Sequence, residues 1–427
     1  MSSAPLVRSE NRAAALENAR KRMGSLLSDN QVLGRRNAIG CVALEITQRC
    51  NLDCTLCYLS ENSQRVKDMP IEEVFRRIDG IAERFGAPTA VQITGGDPTL
   101  RKRDELVAIV RRVRERGLLP TLMTNGIKAS REMLRELAEA GLNDVAFHVD
   151  LTQERKGYAT EADLNAVREE YIERARGIPI AVIFNTTVCR ENFDEIPDMI
   201  RFFRRHADVV GMASFQLQAD TGRGVLRERD RVISLETVRR QIEAGAQLAI
   251  SWDTIRIGHP SCHRIGITLE ANGNLYDLND DPDFFNRFLE DFQHVMLDRR
   301  EPGRAVRSLL GELKRRPAWA ARALRFAARK LWTMRRDLLA ARGRVHKLSF
   351  FVQNFMDASA LEPERIHACS FMVMTANGPI SMCAHNARRD EFILKPIAVT
   401  TPDGEAMWNP LSGGTLPVLP SRPAGVA

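Results

Sequence analysis

Short apolar runs alternate with amphipathic stretches along most of the chain. β-Branched or apolar runs at 42–47, 90–94, 121–124, 145–149, 180–187 and 209–218 each predict a strand. Between them, 71–85, 103–116, 131–140, 161–176 and 193–206 repeat apolar residues at helical spacing. Strand and helix in regular alternation predict an α/β fold with a parallel sheet, open or curled into a barrel. Such folds form their pockets at the C-terminal ends of the strands, so the residues just after each run are those to read for chemistry. A charged, Ala/Leu-rich stretch at 9–37 predicts helix ahead of the first strand. A further helix is expected at 235–250, a strand at 253–257, and another apolar run occupies 347–356.

Charge changes this picture in one place. The chain of 427 residues carries 62 Lys and Arg against 55 Asp and Glu. Of these, 16 basic and 3 acidic residues fall within 299–347, so the remainder is net acidic, 46 against 52. Within that segment Val306, Leu310, Leu313, Pro317, Ala320, Leu324, Ala327, Leu331, Met334, Leu338, Ala341 and Val345 recur at steps of three and four. This is a helical stripe, with Pro317 starting a second helix. Trp319, Phe326 and Trp332 widen its apolar face, and the opposite side is mostly Arg. A packed insertion with a solvated basic face fits the pattern. So does an Arg-rich amphipathic helix at a membrane surface. Nucleic acid is the weaker reading, since no stacking platform or recognition fold accompanies the Arg array.

With 27% charged residues and no apolar run near the ~18–20 residues of a spanning helix, a membrane-embedded protein is not expected. The first residues show no apolar core of a secretory signal, and a cytoplasmic location, peripheral to the inner membrane face, is expected. The tail at 401–427 holds five Pro, four Gly and three charged residues, and is expected to be disordered or draped as a strap.

The eight cysteines carry the most specific chemistry. Three fall within eight residues, Cys50-Asn-Leu-Asp-Cys54-Thr-Leu-Cys57-Tyr58, directly after the first strand. Three thiolates on one tight loop can hold three corners of a cubane iron–sulfur cluster and leave the fourth iron open. Zinc sites more often present two separated pairs. A non-catalytic zinc or RNA-binding protein would need this loop to bind zinc.

The loop and its aromatic Tyr58 resemble the signature of the radical S-adenosylmethionine (radical SAM) superfamily. Thr94-Gly95-Gly96-Asp97-Pro98-Thr99 at the end of the second strand is similar to that superfamily's Gly-Gly-Glu-Pro motif, with Asp in place of Glu. Thr124-Asn125-Gly126 closes the third strand in a familiar way. The resemblance implies a partial (β/α)6 barrel over about 41–218. It implies a [4Fe-4S] cluster on Cys50, Cys54 and Cys57, and SAM held beside Tyr58, Gly95, Gly96, Asp97 and Asn125. SAM would be cleaved reductively to a 5′-deoxyadenosyl radical, with flavodoxin or ferredoxin as electron donor. Asn185 and Gln216, like His148, Asp150, Thr187 and Gln218, end later strands and are candidates for SAM or substrate contacts.

A finer resemblance is to the tetraether lipid synthase group. It rests on Phe215-Gln-Leu-Gln-Ala-Asp-Thr-Gly-Arg223 and on Asn354-Phe-Met-Asp357, Glu364-Arg-Ile366, Cys369, Asn377-Gly378 and Cys383-Ala-His-Asn386. The group carries an N-terminal rubredoxin-like module, whereas no cysteine here precedes Cys41. The likeness implies a lipid or isoprenoid substrate and C–C coupling or methylation, and it brings Cys262, Cys369 and Cys383 together on an auxiliary [4Fe-4S] cluster. The residues alone say less. Cys262 is bracketed by His259 and His263, and Cys369 and Cys383 flank a turn at Asn377-Gly378-Pro379. Plain buried thiols are the alternative. His385, Cys189 or an open iron could complete the set, and Cys41 reads as core. Modification of a ribosomally made peptide is the competing enzyme reading.

The expected organisation is an N-terminal helical segment (1–40), a barrel (41–258), a cysteine-containing connection (259–298), a basic helical insertion (299–347), an auxiliary iron–sulfur region (348–398) and the tail (399–427).

Overall fold

The computed structural model describes residues 9–224, 228–295, 302–401 and 404–417. The expected start of the basic insertion (299–301) and the end of the tail (418–427) lie outside the described residues. Fourteen strands are described, and their order shows how the two halves of the chain combine. They are β1 (Cys41–Thr47), β2 (Ala90–Gly95), β3 (Leu119–Thr124), β4 (Asp144–His148), β5 (Ala181–Val188), β6 (Val210–Leu217), β7 (His263–Ala271), β8 (Asn274–Asp277), β9 (His346–Asn354), β10 (Phe371–Thr375), β11 (Gly378–Ser381), β12 (Ile397–Thr401), β13 (Gly404–Trp408) and β14 (Thr415–Pro417).

The first eleven form one sheet in the order β11-β10-β1-β2-β3-β4-β5-β6-β9-β7-β8. From β10 through β9 every pairing is parallel. The expected six-strand βα core is therefore present, and a later strand extends it at each edge. The two edges turn toward one another. Phe351 of β9 and Phe371 of β10 bring their ring centroids to 6.0 Å, and His263 of β7 lies 4.8 Å from Phe371. Ser370 Oγ and His263 Nε2, 2.7 Å apart, add a polar stitch. Side chains, not strand hydrogen bonds, bridge this seam.

All seven residues of β1 are buried, as expected for a strand covered on both faces. Helices sheathe the outside. The Ile71–Phe85 helix buries Val74, Ile78, Ile81 and Ala82, and the Ile196–Arg205 helix, opened by Pro197, buries Met199, Ile200, Phe202 and Phe203.

Three expectations are corrected. Residues 253–257 form turns with a single bridge from Arg256 to Gln31, and the strand after them is His263–Ala271, which runs antiparallel to β9. Apolar residues at alternate positions identify a strand only if backbone partners are available, and the sheet edge is reached later in the chain. The N-terminal helix ends at Met23 and does not continue to 37. The tail is no loose strap over 404–417: β13 and β14 pair with β12 in a three-stranded antiparallel sheet that buries Val399, Ala406 and Trp408.

Candidate functional site

The Cys loop leaves β1 at its C-terminal end, where β2 and β3 also finish. Close backbone packing fixes their meeting point. Gly95 has φ +122°, and a Cβ there would sit 1.8 Å from Thr47 O; one on Gly96 would sit 2.0 Å from Arg49 O. The Gly-Gly pair is thus required by the approach of β2's end to the start of the loop, since only glycine fits so near another backbone. Gly96 N and Asp97 N donate to Thr47 O and Arg49 O at 2.9 and 2.8 Å.

Asp97 is tied into the protein around it. It is 1% exposed, and its carboxylate accepts from Thr99 N (3.0 Å), Thr99 Oγ1, Thr124 Oγ1 (2.9 Å) and Asn125 N (2.8 Å). These bonds use its acceptor capacity within the protein. Asp97 ties the ends of β2 and β3 together and so positions Asn125, whose Nδ2 reaches Asn51 Oδ1 at 2.7 Å and Cys50 Sγ at 3.8 Å.

The far side of the loop is clasped by Thr221-Gly222-Arg223. Arg223 N donates to Cys57 O and Leu59 O at 2.8 and 3.1 Å. Gly222, at φ +58°, passes so close that a Cβ would meet Cys57 O at 2.5 Å, and the Arg223 guanidinium pairs with Asp53. In the sequence these residues stand out only through a resemblance; their work is to hold the cysteine loop.

Burial pushes the thiols of Cys50, Cys54 and Cys57 up. Backbone N–H groups oppose this at Cys50 and Cys57, and the Arg223 charge opposes it at Cys54 and Cys57. Such thiols ionise on a cation of their own, as a bound metal supplies. Among the described residues no three His, Cys, Asp or Glu side chains converge on one ion. A cubane makes a different demand, one thiolate at each of three separate irons, and three adjacent cysteines facing one cavity fit that demand.

That cavity, of about 400 Å³, runs through the interior of the sheet. Cys50, Cys54, Cys57 and Tyr58 line it, then Gly95, Gly96, Asp97 and Asn125, then His148, Asn185, Thr187 and Gln216, while Asp150 and Gln218 do not. Tyr58 Oη donates to Gly95 O at 2.7 Å, locking the loop to β2. Asn185 and Gln216 make no side-chain hydrogen bond with another described residue. His148 Nε2 lies 2.7 Å from Asp150 Oδ2 and 3.3 Å from Thr187 Oγ1. Although burial alone would lower it, the Asp150 charge holds the His148 pKa above the ordinary value.

A buried cluster that no local pattern announces stands beside Tyr58. Arg389 Nη2 and Nη1 donate to the Glu45 carboxylate at 2.7 and 3.0 Å, and Nη1 also donates to Gln48 Oε1 at 3.1 Å. The guanidinium covers the Tyr58 ring at 4.7 Å. Burial would raise the Glu45 carboxyl, but the Arg389 and His385 charges hold it at about 2. Glu45 and Arg389 lie 344 residues apart; the only sequence signal is an acidic residue within an apolar strand.

Cys262 directly precedes β7, Cys369 lies in the turn before β10, and Cys383 sits on the short Met382–Ala387 helix that follows β11. They lie near one another at the seam, where burial, with smaller contributions from Cys369 and Cys262, pushes the Cys383 thiol up to about 12. Arg365 Nε donates to Cys262 Sγ at 3.3 Å, and Met356 N to Cys383 Sγ at 3.5 Å. Cys383 lines the cavity, while Cys262 and Cys369 do not. Cys189 stands elsewhere, raised by burial and by Glu191 beside it, and His385 stacks on Phe392 at 5.1 Å and faces Glu45. Cys41 packs in the core with Phe351 and Phe371.

Residues 44–203 match the family model of the Radical SAM superfamily. A 7,8-dihydro-6-hydroxymethylpterin dimethyltransferase of Methanocaldococcus jannaschii is 30% identical over 186 residues, 42% of this chain and 36% of the relative. A probable GTP 3′,8-cyclase of Pyrococcus abyssi is 36% identical over 162 residues, 37% of this chain and 51% of the relative. The chain thus spans about half or less of these curated relatives. The solved structure of Streptococcus suis SuiB bound to precursor peptide SuiA is 16% identical, with a TM-score of 0.37, over 53% of this chain and 49% of that one.

Proposed function

We propose that this chain, a radical SAM enzyme, functionalises an unactivated C–H bond of a lipid or isoprenoid chain, by C–C coupling or methylation. The observation that carries the substrate class is the cavity wall built by Met212, Ile257, Ile265, Phe351, Phe371 and Met382. These side chains offer dispersion contacts along an alkyl chain, beside polar residues such as Ser214, Gln216 and Gln353 that line the same cavity. The likeness to the tetraether lipid synthase group points the same way.

A [4Fe-4S] cluster with SAM, when bound, supplies a 5′-deoxyadenosyl radical on reduction by a flavodoxin- or ferredoxin-type donor. The protein's own part is positional. Cys50, Cys54 and Cys57 would hold three irons, and the Asn125 amide would donate to the Cys50 sulfur. Tyr58 and the Gly95-Gly96 turn would line the SAM site, with Asp97 orienting Asn125 from beneath. Asn185 and Gln216 keep free amides for the polar parts of SAM, and the apolar wall opposite excludes water. Cys262, Cys369 and Cys383 would hold an auxiliary [4Fe-4S] cluster near the seam. The basic helices would give access to a bilayer in which such a substrate resides.

The test is anaerobic reconstitution with SAM, a low-potential reductant and chain-deuterated lipid, read as deuterium in the 5′-deoxyadenosine formed. A lipid profile of a deletion strain accompanies it. Deuterium transfer and a missing lipid species are expected. Unchanged lipids beside an altered peptide would replace this substrate with the peptide reading.

A further inference from the structure

The sequence pattern of the basic insertion predicts helix with one broad apolar face. The structure divides that face into two. On the Pro317–Ala340 helix, Trp319, Lys330 and Met334 are buried. Trp319 Nε1 donates to Asp291 Oδ2 at 2.6 Å and meets the Phe292 ring edge-on at 4.8 Å. Lys330 Nζ lies 2.6 Å from Asp280. This inner face is fully partnered by the protein.

The outer face is not. Leu324, Leu331, Trp332 and Leu339 are 71, 58, 70 and 81% exposed, and at these positions they form one stripe along the helix. Among the described residues, seven of the eleven exposed large hydrophobics lie between Val306 and Val345. Singly exposed leucines need no explanation, but a concentration of this kind marks an interaction surface.

Its rim identifies the partner. Arg325 and Arg336 are exposed beside the stripe, Arg335 stands within it between Leu331 and Leu339, and Arg342 lies just beyond the helix end. Arg335 lies over the Trp332 ring at 4.3 Å. The helix's single acid, Asp337, is turned inward and taken up by Asn272, Asn274 and Tyr276. A stripe of Leu and Trp bordered by Arg and free of outward carboxylates matches the boundary between acyl chains and anionic headgroups. A second copy of this face would bring Arg against Arg. Nucleic acid would press phosphates onto leucines, leaving the apolar centre without a partner.

We infer that the outer face of the Pro317–Ala340 helix docks this protein on bilayers rich in anionic phospholipid, with the helix lying in the interfacial plane. The inference names the membrane partner of the proposed lipid-modifying reading and rests on it for its purpose; the docking itself is measured without turnover.

Flotation of the full-length holoenzyme with phosphatidylglycerol vesicles, and separately with phosphatidylcholine vesicles, tests it. Binding to phosphatidylglycerol is expected, weaker on phosphatidylcholine and weakened by salt. L331E/W332E should lower partitioning by about tenfold or more, while R325A/R336A should reduce binding to the anionic vesicles alone. Native far-UV circular dichroism and unchanged SAM cleavage in both variants exclude misfolding. Equal vesicle binding by wild type and L331E/W332E overturns the proposal. So does a stable wild-type dimer that L331E/W332E splits, or tighter binding to RNA than to vesicles. If vesicle binding follows expectation and deuterium transfer from lipid fails, docking stands and the substrate reading falls.

Discussion

The cysteines at 50, 54 and 57 and those at 262, 369 and 383 face the same barrel interior or its seam, yet they are assembled in opposite ways. The first set lies within eight residues of one loop, which β2 and the Thr221-Gly222-Arg223 segment hold in place. The second set is drawn from three segments spread over 122 residues of sequence and comes together only because the two sides of the sheet, with β7 and β10 each one strand in from an edge, turn toward one another. Each set has its own cationic neighbour, Arg223 beside the first and Arg365 beside the second. A site built on a short loop can survive distortion of the far sheet; a site built across a seam cannot.

The largest test of this contrast is Cys54→Ala, which should abolish the catalytic cluster and all SAM cleavage, read as loss of 5′-deoxyadenosine. Retained cleavage would show that the loop does not hold the cluster. Next is Arg389→Ala. It strips the partner from the fully buried Glu45, and breaking a buried pair in this way costs ~3–5 kcal/mol. Chemical denaturation should report that loss, and R389A should also loosen Tyr58 and hence the first set. Cys369→Ala follows, expected to lower iron from about eight to about four per chain while leaving SAM cleavage in place. Unchanged iron would make the second set plain core thiols. The smallest effect is in pH. Glu45 is held at about 2 against an ordinary 4.5, so its pairing stabilises the fold fully above 4.5. That contribution is lost as pH falls through about 2, and E45Q should flatten the stability profile within this window.

The contrast also explains how far the sequence could be read. Alternating patterns placed β1 to β6 because each strand's apolar content is a local property. The Cys loop was legible for the same reason, as was Gly95-Gly96-Asp97 at the end of β2. What local pattern could not show is pairing at a distance. Nothing near Glu45 announces Arg389, and nothing at Asp97 says that its carboxylate is bonded by Thr99, Thr124 and Asn125. The basic segment gave up its helical period but not its orientation, since Trp319 and Trp332 read alike until one is buried and the other 70% exposed.

The attachment of β9 beside β6 and of β10 beside β1 has a consequence for modularity. Residues 44–203, the stretch that the family model matches, end before β6 and would on their own leave β1 and β5 as naked strand borders, an invitation to intermolecular pairing. The later part of the chain supplies the caps, and the same caps carry Phe351 and Phe371 on the apolar wall. A change at Phe351 or Phe371 therefore alters the cavity and the caps together. Drift in specificity and persistence of the fold are constrained together, and a shortened chain bearing only the shared stretch should aggregate before its chemistry can be assayed.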